Sequence, residues 1–356
     1  MIEISLNGEW TVACAERGIQ VPGAVPGDVH GALLDAGVID DPFYRDNEEG
    51  LQWIGENDWG YERTFEVPGE LLEQDRVLLV CEGLDTLATV WINGREVGAT
   101  DNMFRRWEWE IASHLEAGTN TIRVEFGSAI RYVHEANRRP EPLQWQKTVT
   151  AGPFSLIRKE ACNFGWDWGT MAVTCGIWRD IGICGFSVAR IDHLRVQQDT
   201  SDATATVTLN LDVESVGTAA LTAEATLSRN GNEVAGAATA IEDGRGACVL
   251  RIDQPKRWWP NGMGDHPLYD LRVTLRDENG TVGDERARRL GLRSIVLDRH
   301  DDEWGESFQF VVNGIPVFIK GANWIPADAV LSRVTREDYR RLIEDSVAAN
   351  MNMLRV

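Results

Sequence analysis

The sequence predicts a mainly β protein: two antiparallel β-sandwiches, then the first part of a parallel β/α domain. Three observations lead to this prediction. Short apolar segments with alternating polarity recur over the first 290 residues, and Asn-Gly pairs follow several of them. Near the C-terminus an amphipathic helix stands between two predicted strands. The predicted domains span residues 1–189, 190–290 and 291–356.

The first sandwich is predicted from dense strand and turn signals, and we expect a jelly roll. Residues 77–81 form an apolar run of buried-strand length. Residues 88–92 lead into Asn93-Gly94, a strong hairpin signal because both turn positions need positive φ. Residues 121–126 alternate, so every second side chain is apolar. Helical periodicity is nearly absent before about residue 190.

The second sandwich, predicted near residues 190–290, has the even strand spacing of an immunoglobulin-like fold. Residues 205–213 alternate strictly, with apolar side chains at the odd positions. The pattern returns at 221–227 and at 271–275. Because Thr and Ala dominate these strands, we expect little chemistry in this domain.

The hydrophobic period changes to that of a helix only near the C-terminus. Residues 308–312 and 317–319 are predicted strands. Thr335 and Asp338 form a variant of the capping box, and an amphipathic helix of about 14 residues follows. A strand over 351–356 completes a βαβ unit, which implies a parallel sheet. The chain ends inside that strand, so we expect it to be part of a longer protein.

Composition and charge exclude several functions. The 356 residues include 35 Lys and Arg against 56 Asp and Glu, a formal net charge of −21. Such a surface repels phosphate backbones and anionic lipids, which argues against nucleic-acid and membrane partners. No apolar run approaches the roughly 20 residues of a membrane span. The N-terminus lacks signal-peptide features, and the six Cys residues show no metal-binding spacing. We therefore expect a cytoplasmic protein without metal or cofactor.

The first candidate site is the segment 162–169, in which Asp167 stands between Trp166 and Trp168 with glycines on both sides. Glycines permit tight backbone excursions, indole rings provide apolar walls, and a carboxylate accepts hydroxyl protons. A site for a neutral polyol needs this combination. A β-bulge in which Asp167 caps its own turn explains the same residues, and both interpretations stay open here.

The second candidate site lies at 320–328, after the first strand of the predicted βαβ unit. Sites in parallel β/α folds form at the C-terminal ends of the strands. Asn323, Trp324 and Asp328 are therefore candidate binding residues. Arg355, near the end of the next predicted strand, could orient a carboxylate through a charge-assisted pair. The alternative is a solvated loop with a structural Arg.

Together these motifs resemble the β-mannosidases of the glycoside-hydrolase family that also contains β-galactosidases and β-glucuronidases. The resemblance covers essentially the whole chain and is most specific at Arg158-Lys159 with the FGWDWG segment 164–169. Many members have Pro after WDWG, where this chain has Thr170. The other matching segments are 6–10, 82–94, 102–105, 258–262, 320–328 and 350–356.

The resemblance implies a sugar-binding jelly roll, an immunoglobulin-like sandwich and the first βαβ portion of a catalytic (β/α)₈ TIM barrel. It implies exo-acting, retaining hydrolysis of terminal non-reducing β-D-mannose by two Glu residues. Carried over, Asp167 binds mannose hydroxyls beside Trp166 and Trp168, and Arg355 holds the nucleophile. Both catalytic Glu residues are expected beyond Val356, so we expect this chain alone to be inactive.

Two other functions remain open at this point. The chain could act as a non-catalytic carbohydrate-binding module, or belong to a related enzyme that cleaves β-glucosaminides or β-galactosides. The expected partner is a β-mannoside or manno-oligosaccharide, and a homodimer stays open.

Overall fold

The computed structural model describes residues 1–145 and 150–356, which form two compact units. The first unit contains Ile2–Gly185 together with Pro326–Tyr339. The second unit contains Phe186–Ile325 together with Arg340–Val356, with Met1 assigned to it. Strands dominate both units, which confirms the predicted mainly β class.

The first unit is a sandwich of a six-stranded and a four-stranded sheet, and the prediction of a jelly roll fits it. The sheets have the orders β3-β2-β4-β9-β6-β7 and β1-β10-β5-β8, so the first and last strands are neighbours. The strands are β1 (Ile2–Ser5), β2 (Gly8–Cys14), β3 (Ile19–Val25), β4 (Trp59–Val67), β5 (Arg76–Cys81), β6 (Ala88–Ile92), β7 (Arg95–Thr100), β8 (Trp107–Glu110), β9 (Gly118–Phe126) and β10 (Ile181–Phe186).

Apolar side chains of both sheets meet in one core. Trp10 and Tyr61 of the larger sheet and Leu79 and Ile183 of the smaller sheet belong to it. The strands predicted at 77–81, 88–92 and 121–126 are found as parts of β5, β6 and β9. Asn93 and Gly94 turn β6 into β7 with φ values of 49° and 74°, as the hairpin signal predicts.

In the described residues of this unit, four short α-helices interrupt the sandwich: α1 (Val29–Asp35), α2 (Trp53–Glu56), α3 (Gly69–Leu72) and α4 (Ala129–Ala136). The sequence did not predict α1 and α4, because two helical turns are too short to produce a clear period. Their caps were the available signal. Asp28 and Ser128 accept hydrogen bonds from the Gly31 and Arg131 amides at 3.0 and 3.1 Å.

The second unit contains a seven-stranded antiparallel sandwich, as predicted for an immunoglobulin-like domain. Its sheets have the orders β11-β12-β15 and β14-β13-β16-β17. The apolar odd positions of 205–213 are all buried, which confirms the alternation. The strands are β11 (Ala189–Thr200), β12 (Thr204–Ser215), β13 (Leu221–Arg229), β14 (Asn232–Ile241), β15 (Arg245–Asp253), β16 (Tyr269–Asp277) and β17 (Val282–Leu290).

Short elements complete the chain after β17. The antiparallel sheet β18-β21-β22 and the pair β19-β20 come first, and β23 then pairs parallel with β24. The elements are β18 (Ile295–Asp298), β19 (Asp301–Asp302), β20 (Gly305–Glu306), β21 (Gln309–Val312), β22 (Ile315–Val317), β23 (Gly321–Asn323), α5 (Arg336–Ala348) and β24 (Met353–Arg355).

The parallel pairing confirms the predicted βαβ connection but corrects its first strand. The predicted strand at 317–319 begins earlier, as β22, and returns on β21 in a hairpin. The strand beside β24 is β23 instead. A Cβ at Gly321 would lie only 1.9 Å from the Met353 carbonyl oxygen, so this glycine allows the two backbones to approach. Asn323 therefore lies in the strand rather than in the loop after it.

The helix α5 begins and ends as the sequence predicts. The Asp338 amide donates to Thr335 Oγ1 at 3.2 Å, and the Thr335 amide donates to Asp338 Oδ2 at 3.0 Å. Asn350, with φ of 58°, follows the last turn as a left-handed residue. None of the residues of α5 is buried, and Ile343 on its apolar face is 51% exposed. No helix in the described part of the chain has the length and apolarity needed to cross a membrane.

Candidate functional site

Trp166, Asp167 and Trp168 lie at the tip of a loop in the first unit. Trp166 and Gly169 face each other across a tight turn, and the Gly169 amide donates to the Trp166 carbonyl at 3.3 Å. Asp167 and Trp168 therefore occupy the two central turn positions. The two indoles are 44% and 43% exposed, and Asp167 is exposed as well.

One glycine carries the chain from the protein interior to this exposed turn. The 3₁₀ helix Ala161–Phe164 ends on Phe164, whose side chain is fully buried. Gly165 follows with φ of 100° and ψ of 150°, a conformation that residues with a Cβ rarely adopt. Its amide donates to the Cys162 carbonyl at 2.9 Å. The change from a buried ring to an exposed ring thus takes place within two residues.

A cavity of about 540 Å³ opens beside the turn. Trp166 lines it, with its ring edge-on to Phe154 at a centroid distance of 6.1 Å. Apolar rings and a few polar groups in one concavity are typical of small-molecule sites. The cavity is lined by Gln144, Trp145, Thr150, Pro153, Phe154, Ser155, Trp166 and Asp167.

The carboxylate of Asp167 is not used to stabilise its own turn. Among residues 1–145 and 150–356, no donor makes a hydrogen bond or ion pair with it, and the backbone closes the turn instead. In the described residues, Asp167 therefore does not cap its own turn. An exposed carboxylate in a cavity wall has free acceptor sites for ligand hydroxyls.

The loop starts from a buried ion pair that the sequence analysis did not single out. Lys159 Nζ bonds Asp85 Oδ2, and their side chains are 0% and 3% exposed. Asp85 also exchanges two backbone hydrogen bonds with Gly176, at 2.9 and 3.0 Å. A Lys next to a motif is usually solvated, so only the burial of both partners shows this contact to be internal.

Other titratable groups near this pair are buried in their neutral forms. Burial, and to a smaller extent the positive charge of Lys159, lower the pKa of His30 to about 3. His30 Nδ1 and Tyr61 Oη have no hydrogen-bond partner among the residues that the structure describes. Burial and a hydrogen bond with Glu160 raise the pKa of the Cys162 thiol to about 12. Cys162 is therefore protonated and is no candidate nucleophile.

Asp328 lies in the first unit, in the segment Pro326–Tyr339. Its Oδ1 accepts the Val330 amide at 2.8 Å, which uses the carboxylate to shape its own loop. The same loop contacts the base of the Trp166 turn, because Asn163 Nδ2 donates to the Ala329 carbonyl at 3.0 Å. The structure thus assigns Asp328 a local structural contact.

Asn323, Trp324 and Arg355 come together in the second unit. Arg355 Nη1 donates to Asn323 Oδ1 at 3.1 Å, and the Trp324 amide donates to the Arg355 carbonyl at 2.7 Å. The predicted convergence of these residues at adjacent strand ends is thus seen. The acceptor is an amide oxygen, and no carboxylate in the described ranges pairs with Arg355.

The predicted site residues therefore form two groups. Trp166, Asp167 and Trp168 share the first unit with Asp328, and Asn323, Trp324 and Arg355 belong to the second. The analysis of the sequence missed the cavity residues 144–145 and 153–155, since no period or spacing marks them. Over the described parts of the chain, no group of three His, Cys, Asp or Glu side chains could hold a metal ion.

Two family models match the chain. The model described as "Glycosyl hydrolase 2 galactose-binding domain-like" matches residues 10–179, and "Glycosyl hydrolases family 2" matches residues 189–293. Together they cover more than three quarters of the sequence.

Curated relatives match over nearly the whole chain. It is similar to a beta-mannosidase of Capra hircus, with 33% identity over 383 residues that cover 100% of this chain and 42% of the relative. A beta-mannosidase B of Emericella nidulans is 31% identical over 95% of this chain and 40% of that protein. The chain thus spans about two fifths of the length of these relatives.

Solved structures share the fold. A beta-D-mannosidase from Dictyoglomus thermophilum superposes with a TM-score of 0.92 at 35% identity, covering 100% of this chain and 44% of that one. An exo-chitosanase from Amycolatopsis orientalis superposes with a TM-score of 0.75 at 20% identity, over 99% of this chain and 40% of that one, which shows the fold alone. On these matches, the chain belongs to glycosyl hydrolase family 2 and contains the galactose-binding-like and immunoglobulin-like domains of that family.

Proposed function

We propose that the protein containing this chain is a β-mannosidase that removes terminal non-reducing β-D-mannose residues with retention of configuration. The support is the identity of about one third to mammalian and fungal beta-mannosidases along the entire chain. The similarity to the Dictyoglomus thermophilum beta-D-mannosidase extends this support to the backbone.

Within this proposal, Asp167 binds hydroxyls of the terminal mannose, with Trp166 and Trp168 beside it. The observation that carries this role is an exposed carboxylate without a partner among the described residues, in the wall of a cavity with three aromatic rings. A carboxylate that accepts sugar hydroxyls makes charge-assisted hydrogen bonds, each worth about 1.5–3 kcal/mol. The aromatic rings cover apolar surface of the sugar and exclude water.

The second group has a different proposed role. We assign β23 and β24 to the first two strands of a (β/α)₈ barrel, whose sites form at the strand C-termini. Arg355 would orient a catalytic carboxylate from that position, with Asn323 and Trp324 beside it. The hydrogen bond to Asn323 uses one guanidinium donor, and Arg has five.

These two proposed roles, sugar binding and orientation of a carboxylate, are what the chain contributes to the mechanism. Retaining hydrolysis needs two carboxyl groups about 5–5.5 Å apart, one as nucleophile and one as acid and base. No Glu of this chain is assigned either role. Its residues bind and orient the sugar, and they raise kcat only where a contact strengthens in the transition state.

The test is Asp167→Ala in the complete protein, assayed on an aryl β-mannoside. Loss of one or two charge-assisted hydrogen bonds should lower kcat/KM by about one to four orders of magnitude. The melting temperature should hardly change, because the carboxylate stabilises none of the described residues. Asp101→Ala, which removes another exposed carboxylate of the first unit, is the matched control and should leave kcat/KM unchanged.

Two outcomes would contradict the proposal. An unchanged kcat/KM, or a lower melting temperature with normal kinetics, would remove Asp167 from the site. Faster hydrolysis of an aryl β-glucosaminide or β-galactoside than of the β-mannoside would overturn the substrate assignment.

A further inference from the structure

The loop that carries Trp166 and Asp167 is closed at three levels. At its base, Asp85 connects Lys159 at the loop entry with Gly176 at the loop exit. Further along, the Ala172 amide donates to the Asn163 carbonyl at 3.0 Å, and the Gly169 amide donates to Trp166 at the tip. The connections thus run from a buried ion pair to an exposed turn.

The base connection involves both loop ends and one residue outside the loop. Asp85 Oδ2 accepts a hydrogen bond from Lys159 Nζ, and the Asp85 backbone exchanges two hydrogen bonds with the Gly176 backbone. The position is tightly filled: a Cβ at Gly176 would lie 2.6 Å from the Gly27 carbonyl oxygen and 2.9 Å from Tyr61 Oη. Neither loop end can therefore shift alone without breaking a contact to Asp85.

Stability alone is a poor explanation for a pair buried in this way. Removing two charges from water costs about as much as their attraction returns, and apolar replacements of similar size are often equally stable. An apolar pair would not fix the orientation of its two side chains. An ion pair with hydrogen bonds holds its partners in one geometry.

We propose that the Lys159–Asp85 pair is a positioning device that holds the Trp166–Asp167 turn in the geometry needed to bind the sugar. This inference rests on the proposed function for its consequence in catalysis, but the geometric part is independent of it. Lys159 and Asp85 touch no ligand; they act through the backbone of the loop.

The test compares neutral and charged versions of the base. Lys159→Met combined with Asp85→Asn removes both charges while Asn keeps an acceptor for the Thr86 hydroxyl that Asp85 binds. Lys159→Met alone leaves a buried carboxylate unpaired and should lower the melting temperature, and the double variant should recover it. Lys159→Gln with Asp85→Asn serves as a second neutral pair if the first does not fold.

The first readout is amide hydrogen exchange of peptides that cover 161–172. With the turn released, their exchange should accelerate about tenfold or more in the neutral variant, while peptides from β12 stay unchanged. Lys159→Arg keeps the ion pair and should retain slow exchange. The control is Arg190→Met with Glu214→Gln, which removes another ion pair of low exposure, in the second unit, and should leave 161–172 unaffected.

The second readout is the kinetics of the complete protein on an aryl β-mannoside. Misplacement of a binding group by about 1 Å can cost about a hundredfold, so kcat/KM of the neutral variant should fall about 10- to 100-fold. Unchanged exchange of 161–172 in a folded neutral variant overturns the proposal. Faster exchange with unchanged kcat/KM upholds the positioning role and instead counts against the proposed role of the turn in binding.

Discussion

The two candidate groups differ in what supports them. The Trp166–Gly169 turn is exposed, but most of the residues that lead to it are buried, namely Lys159 in the base and then Cys162, Asn163 and Phe164. The Asn323–Arg355 pair lies on β23 and β24, two strands of three residues whose side chains are exposed or half-buried. Both groups contain polar residues and both were predicted from the sequence. Of the two, the Trp166–Gly169 turn is the one that packs against buried residues of this chain.

This difference shows why a motif is not yet a site. A binding group keeps its geometry to the extent that the packing behind it excludes other geometries. The turn is closed at three levels, and the two levels behind the tip consist of buried residues. The Asn323–Arg355 pair depends on one side-chain hydrogen bond and a short parallel ladder, and parallel sheets normally need cover on both faces.

The weak support of the Asn323–Arg355 pair should show most strongly in the hydrogen exchange of this chain, measured against a sandwich strand of the same unit. Amides of β24 should exchange about a thousandfold or more faster than amides of β12, because local opening of a short exposed pair costs far less than global unfolding. Both strands belong to the second unit, so a difference in unit stability does not interfere. Equal protection of β12 and β24 would show that the parallel pair is as well supported as the sandwich.

Truncation of apolar side chains should give the next largest difference. Phe164→Ala empties a fully buried position behind the turn and should lower the free energy of unfolding by about 3–5 kcal/mol. Ile343→Ala in α5 removes a side chain that is already 51% exposed and should cost less than about 1 kcal/mol. Urea denaturation of both variants measures the two values, and similar losses would contradict the comparison.

Acid should destabilise the folded chain through His30, which is buried and lies close enough to Lys159 to feel its charge. The unfolded chain binds a proton on His30 below a pKa of about 6.5, but the folded chain does so only below about 3. Stability is therefore complete above pH 6.5 and is lost as the pH falls toward 3, by about 2–3 kcal/mol at pH 4.5. His30→Gln should flatten this slope in urea denaturation at pH 7 and 4.5. The exposed His300→Gln is the control, and an unchanged slope for His30→Gln would rule out His30 as its source.

Much of the fold was accessible from the sequence because regular strands have a period. Alternating polarity at 205–213 and 121–126 predicts extended strands, and the Asn-Gly pairs predict tight hairpin turns. The short helices α1 and α4 and the true first strand of the βαβ connection were missed. They depend on caps and on close backbone approach at Gly321, which act over too few residues to give a period.

The candidate site was accessible only in part. The segment around Asp167 stands out by composition, and Arg355 beside Asn323 follows from strand adjacency. The Lys159–Asp85 pair and the cavity residues 144–145 and 153–155 could not be predicted in this way. Their significance arises from contacts between residues far apart in the chain, such as the 74 positions between Asp85 and Lys159.

The order of strands in the first sandwich also has a consequence during protein synthesis. Strand β1 pairs with β10, in a register that places Ile2 opposite Gly185. During synthesis, β1 of this sandwich therefore cannot pair until β10 has been made. At the usual elongation rate, the ribosome needs roughly 10–40 seconds to make the intervening residues. Throughout that time the emerging chain carries strand β1 without its native neighbour β10. A pause in translation within this interval would prolong the exposure, and one placed after β10 would not.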